Sequence, residues 1–100
     1  MRLVAALSLF VCTQLAYAEL VLRNGADVIV LFENQSCKIS AISDEAVRNG
    51  VTDLKAGESI LELKKFKMCW IERGGWVFMF YEDGDVGRWE KKDFRKETPA

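Results

Sequence analysis

Histidine is missing from this 100-residue chain. Its absence excludes nucleophilic catalysis by a serine or cysteine working with a histidine base. It also removes the commonest ligand for a transition metal, and no Cys-x-x-Cys spacing replaces it. A basic excess is missing too. The formal net charge is −1, which argues against a nucleic-acid partner. Internal repeats, low-complexity tracts and linkers are all lacking, so one small domain is expected. Beyond the first residues there is no second long apolar run, so no span of a membrane is expected in the remainder.

The N-terminus is apolar and patterned. Arg2 precedes LVAALSLFV, and Ala16-Tyr17-Ala18 supplies small residues at both positions of an A-x-A cleavage site. This reads as a signal peptide over residues 1–18, cut after Ala18, with a periplasmic or secreted product. Eighteen residues taken from 100 leave 82, with all 15 acidic residues and 13 of the 14 basic ones, a net charge of −2. Cys12 leaves with the signal. Cys37 and Cys69 remain, and in an exported chain they are expected to form one disulfide. It would close a loop of about 33 residues, worth roughly 3.5–4 kcal/mol of chain entropy in a domain whose core is small.

Residues 20–32 (LVLRNGADVIVLF) read as a hairpin. With Asn24 and Gly25 as a type I′ loop, Val21 would face Val28 and Leu20 would face Ile29. Ile39, Ile42, Ala46 and Val47 recur at helical spacing. Ser43-Asp44-Glu45 suits a helix start and Asn49-Gly50 a stop, so a short helix is expected within residues 39–48. Residues 51–58 read as loop. Strands are expected at 59–63 and 66–72 around a Lys64-Lys65 turn, then at 76–81 after Gly74-Gly75. In that last hairpin Ile71 should face Phe78 and Cys69 should face Phe80, with Trp70 and Met79 paired on the opposite face. A short strand near Val86 to Trp89 follows, with Asp93-Phe94 as an anchor and residues 95–100 as a flexible polar tail. The expected fold is mainly β (α+β): a small antiparallel meander, curled or barrel-like, with one short helix and one disulfide, occupying residues 19–94.

The stretch YEDGDVGRW (81–89) concentrates acids. Glu82, Asp83 and Asp85 could serve a small carbohydrate-active hydrolase, but carboxylates on one turn splay apart, whereas glycosidases set two across a cleft. Asp83 and Asp85 are the candidates for a calcium site, yet the EF-hand spacing is missing and no metal is expected. Asp83-Gly84 reads better as a type I′ turn whose charges discourage edge pairing. No cofactor and no catalytic residue is expected. Candidate binding residues are the aromatics Trp70, Tyr81 and Trp89 with Arg88, and the cationic group Lys64, Lys65 and Lys67, which could meet an anionic surface. At least half of the tryptophans should nevertheless be buried.

The start ELVLRNG, Cys37, Cys69-Trp70, the strand WVFMFY, the turn DGDVG at 83–87 and Asp93-Phe94 together resemble a group of small exported proteins of phages, prophages and Gram-negative bacteria. The resemblance implies a phage or bacterial envelope protein and transfers no catalytic residue. The expected function is a non-enzymatic exported protein that binds or modulates an envelope protein or cell-wall component. A structural or assembly accessory is the alternative.

Overall fold

The computed structural model describes residues 19–97. The expected signal peptide and residues 98–100 lie outside them. Seven strands form one antiparallel sheet: β1 (Glu19–Asn24), β2 (Asp27–Ser36), β3 (Lys55–Leu61), β4 (Lys64–Arg73), β5 (Trp76–Tyr81), β6 (Val86–Glu90) and β7 (Arg95–Glu97). One helix, α1 (Ser40–Arg48), joins β2 to β3. The strand order is β6-β5-β4-β3-β2-β1-β7, a meander whose last strand returns to the side of the first.

That order requires a curled sheet. The edge strands β6 and β7 are joined only by the 3-10 turn Lys91–Asp93 and Phe94. Six flat strand spacings would set the edges roughly 29 Å apart, whereas the chain from Glu90 to Arg95 reaches at most about 18 Å. The curl makes a half-barrel. Its concave face buries Leu20, Leu22, Leu31, Met68, Val77 and Met79, and Phe94 from the closing segment packs among them. Ser59 is fully buried on this face and its hydroxyl shares a hydrogen bond of 2.8 Å with the Tyr81 hydroxyl.

The β4–β5 register is the one the Gly74-Gly75 pair implies: Ile71 faces Phe78, Cys69 faces Phe80 and Trp70 faces Met79. The other turns differ from expectation. In β1–β2 the loop is Gly25-Ala26, and only Gly25 has positive φ (+64°), as a type II′ turn needs. Leu20 therefore faces Leu31 and Val21 faces Val30. An Asn24-Gly25 loop would have set Leu22 against Asp27, whereas the observed register sets it against Ile29. The shift is two residues, so each side chain stays on its expected face.

The β3–β4 loop is Glu62-Leu63 rather than Lys64-Lys65, and β3 begins at Lys55, inside the stretch expected to be loop. Interstrand packing fixes this register. Met68 lies against Gly57, where an added Cβ would stand 2.8 Å from the Met68 Sδ and from the Val30 carbonyl oxygen. The cost falls on the loop: Glu62 (φ 51°) and Leu63 (φ 67°) are both left-handed, and neither is glycine or asparagine. The double substitution Glu62→Asn, Leu63→Gly supplies residue types that tolerate this conformation. It is expected to raise the stability of the fold by about 1–2 kcal/mol. Urea melts of the two proteins check this, and an unchanged or lower midpoint would show that the loop is unstrained.

Residues 95–97 are part of the sheet and not of a tail. Arg95, Lys96 and Glu97 pair with Val21, Leu20 and Glu19. Main-chain ladder bonds do not need apolar side chains, and ion pairs of Arg23 with Glu97 (3.2 Å) and Lys96 with Glu33 (3.7 Å) flank the strand.

Candidate functional site

Cys37 and Cys69 form a disulfide. Cys69 is fully buried on the convex face of β4. Cys37 follows directly on β2, where its N–H donates to the Leu54 carbonyl at 3.0 Å. A disulfide of this kind is consistent with an oxidising, exported location. No helix among the described residues is long and apolar enough to cross a membrane.

The bridge delivers α1 to the convex face. The helix starts at Ser40, a turn earlier than Ser43 suggests, and no side chain caps it. It ends in a Schellman motif: the Val51 N–H donates to the Ala46 carbonyl (2.8 Å) and the Gly50 N–H to the Val47 carbonyl (3.0 Å), with Gly50 at φ +80°. No residue of α1 is fully buried. Ile39, Ile42 and Ala46 lean on a second apolar cluster made by Leu54, Cys69, Ile71, Phe78 and Phe80.

The loop between β5 and β6 rises opposite the helix. It is a three-residue loop and not the two-residue Asp83-Gly84 turn. The Gly84 N–H donates to the Tyr81 carbonyl (3.1 Å), the Tyr81 N–H donates to the Asp85 carbonyl (2.9 Å), and Gly84 has φ +94°. This is a β-turn centred on Glu82-Asp83 and closed by a left-handed glycine. The Asp83 carboxylate accepts the Asp85 N–H at 3.0 Å, so local backbone occupies one of its oxygens. No group of three or more acids and cysteines able to hold a metal ion occurs among the described residues.

Between α1 and this loop lies a groove of about 530 Å³. Ile42, Ala46, Val51, Leu54, Ile71 and Phe80 supply its apolar walls. Val86, 62% exposed, ends it at the start of β6. Polar groups occupy the rim: Glu45 and Asn49 from the helix side, Gly84 and Asp85 from the loop, and Arg73. Arg73 is already engaged. Its two terminal nitrogens donate to the Asp53 carboxylate at 3.3 and 3.5 Å and one also donates to the Glu72 carbonyl. The hydrogen bond from Arg73 holds the Asp53 carboxyl below its ordinary value. Asp53 is thus ionised at neutral pH, and the pairing fades only as pH falls through that lowered value.

No family model, curated protein or solved structure matches this chain. Its functional reading therefore rests on the geometry of its own residues.

The structure divides the residues expected to form one binding surface. Trp70 is 4% exposed and belongs to the concave core, with its Nε1 donating to the Ala56 carbonyl at 2.9 Å. It is corrected from surface to core because Met68, Trp70 and Met79 fill the inside of the curl. Tyr81 and Trp89 are half-buried against the same cluster, and the Trp89 Nε1 donates to Asp93 (3.0 Å). Arg88 pairs with Phe78 on the opposite face and lies 4.5 Å from the Trp76 ring centroid. Tyr81, Arg88 and Trp89 therefore do not face solvent together. Lys64, Lys65 and Lys67 are exposed on the part of β4 that pairs with β3 alone, and Lys65 meets Glu58 at 3.6 Å. Of the residues lining the groove, Tyr81 and Asp85 were among the candidates and the apolar walls were not. Their signal was present in two pieces, the apolar stripe of the helix and the Cys69 face of β4–β5, which the disulfide brings together.

Proposed function

We propose that this chain is an exported, non-enzymatic binding domain of phage or prophage origin that engages an envelope component through the groove between α1 and the β5–β6 loop. The observation that carries this reading is the groove itself. Its volume falls in the ~300–1,000 Å³ range of ligand pockets, and its walls are mostly apolar while the carboxylates of Glu45 and Asp85 stand exposed at the rim. Such a surface gains affinity by removing apolar area from water. The neighbouring acids Glu82, Asp83 and Asp85 share one loop, which suits a rim charge better than acid–base work across a cleft.

A photo-crosslinking residue placed at Asn49, exposed on the groove rim, tests the reading in the native envelope. One discrete adduct is expected from position 49 and none from position 92, where Lys92 is 76% exposed and remote from the groove lining. Val86→Arg should abolish the adduct. Equal labelling from both positions, or none from position 49, would sink the proposal.

A further inference from the structure

We infer that the groove takes an extended polypeptide segment in which an apolar side chain is followed, two residues on, by a lysine or arginine. The inference rests on the binding reading above and adds the chemistry of the partner. The walls fix the apolar half: Leu54, Ile71 and Phe80 from the sheet side, Ile42 and Ala46 from the helix.

The rim fixes the charge. Glu45 and Asp85 stand on its two sides, and neither has an ion-pair partner within 4 Å among the described residues. The single cation of the lining, Arg73, is neutralised by Asp53. No lysine lines the groove. Glu82 and Asp83 extend the negative edge along the loop. A cation seated there meets carboxylates without displacing an internal partner, whereas a phosphate or carboxylate would be repelled. The rim therefore disfavours anionic lipids and acidic glycans as occupants.

The sheet fixes the form of the partner. β6 is an edge strand that pairs only with β5, so the outer main-chain groups of Val86–Glu90 have no partner in the ladder. Val86 is both the first residue of that edge and the end of the groove. An extended segment laid along β6 can bond its backbone there and send an alternate side chain over Val86 into the groove.

Three capped hexapeptides test this against the full oxidised chain as exported: acetyl-GLSKSG-amide, and the same peptide with glutamine or with glutamate in place of the lysine. Binding is followed by NMR at the amides of Ala46, Val51, Ile71 and Val86. The lysine peptide is expected to bind at least tenfold tighter than the glutamine peptide, with no saturable shift from the glutamate peptide. In the Glu45→Gln, Asp85→Asn double variant the lysine preference should fall below threefold, while the glutamine peptide binds as before and the thermal midpoint stays unchanged. Equal affinity for lysine and glutamine peptides overturns the cationic partner and leaves the groove reading to stand on its crosslinking result. Tightest binding by the glutamate peptide, or groove shifts produced by phosphatidylglycerol vesicles and by none of the peptides, overturns the inference outright. Silence of the groove amides to all three peptides and to the vesicles also overturns it, and the adduct at position 49 then decides separately whether the groove binds at all.

Discussion

Replacing Cys37 and Cys69 together by serine is expected to lower stability by about 3–4 kcal/mol. For a domain of this size that corresponds to a thermal midpoint roughly 15–25 °C lower. The argument has two parts. Cross-linking positions 32 apart in sequence restricts the unfolded chain. The native chain also depends on the bond locally, because α1 has nine residues and none is fully buried. A helix this short is marginal alone in water, and half-buried Ile39, Ile42 and Ala46 give it a limited apolar footing. Loss is therefore expected to be uneven. Hydrogen exchange of the serine variant should show Ser40–Arg48 nearly unprotected, under conditions where amides of β4 and β5 remain protected. Intact mass of the native chain should be two hydrogens below that of the reduced chain. Free thiols at both positions, or a midpoint unchanged in the variant, would refute the structural role of the bridge.

Gly57→Ala is expected to cost about 2–3 kcal/mol, an overpacking effect. Gly57 sits in β3 between Leu31 of β2 and Met68 of β4. Its missing side chain makes room for the Met68 thioether, and an added Cβ would lie 2.8 Å from Met68 Sδ and Cε and from the Val30 carbonyl oxygen. The methionine can rotate away. The carbonyl belongs to the ladder and cannot move without disturbing the β2–β3 pairing. Met68→Ala in the same chain should consequently fail to restore stability. Gly87→Ala offers the contrast. There the nearest contact is the flexible Met79 Cε at 3.3 Å, and the expected cost is under about 1 kcal/mol. Urea titrations of the two single variants give the comparison. Equal destabilisation by both would show that the close backbone approach at Gly57 does not set the β3–β4 register.

The legible parts of the fold were those with a local cause. Gly74 and Gly75, both at positive φ, could be placed because the type I′ geometry they favour leaves one register, and that register put Cys69 beside Phe80. Asn24-Gly25 was ambiguous, since glycine serves either a type I′ or a type II′ loop. The pairing of Leu22 with Ile29 decided it. Glu62-Leu63 carried no turn signal at all, because its conformation is imposed by the packing of Gly57 against Met68, within the strands and away from the loop itself. β7 escaped notice for the opposite reason: RKE has no apolar pattern, and its place is held by backbone bonds to β1. The groove needed both halves of the chain at once. Helical spacing marks Ile42 and Ala46, strand alternation marks Ile71 and Phe80, and only the tertiary path through Cys37 sets one pair over the other.

The return of β7 to β1 also orders events in time. The Glu19↔Glu97 pair joins the two ends of the described chain, so that ladder cannot begin to form until residue 97 has emerged. Local hairpins such as β4–β5 can assemble much earlier, since their loops are short. Throughout synthesis β1 keeps an open edge, and with it the apolar row Leu20, Val21 and Leu22. The last strand to arrive is the one that covers it. A truncated or stalled chain would be left presenting a sticky β-edge to its neighbours, which makes completeness at the C-terminal end a condition of remaining unaggregated.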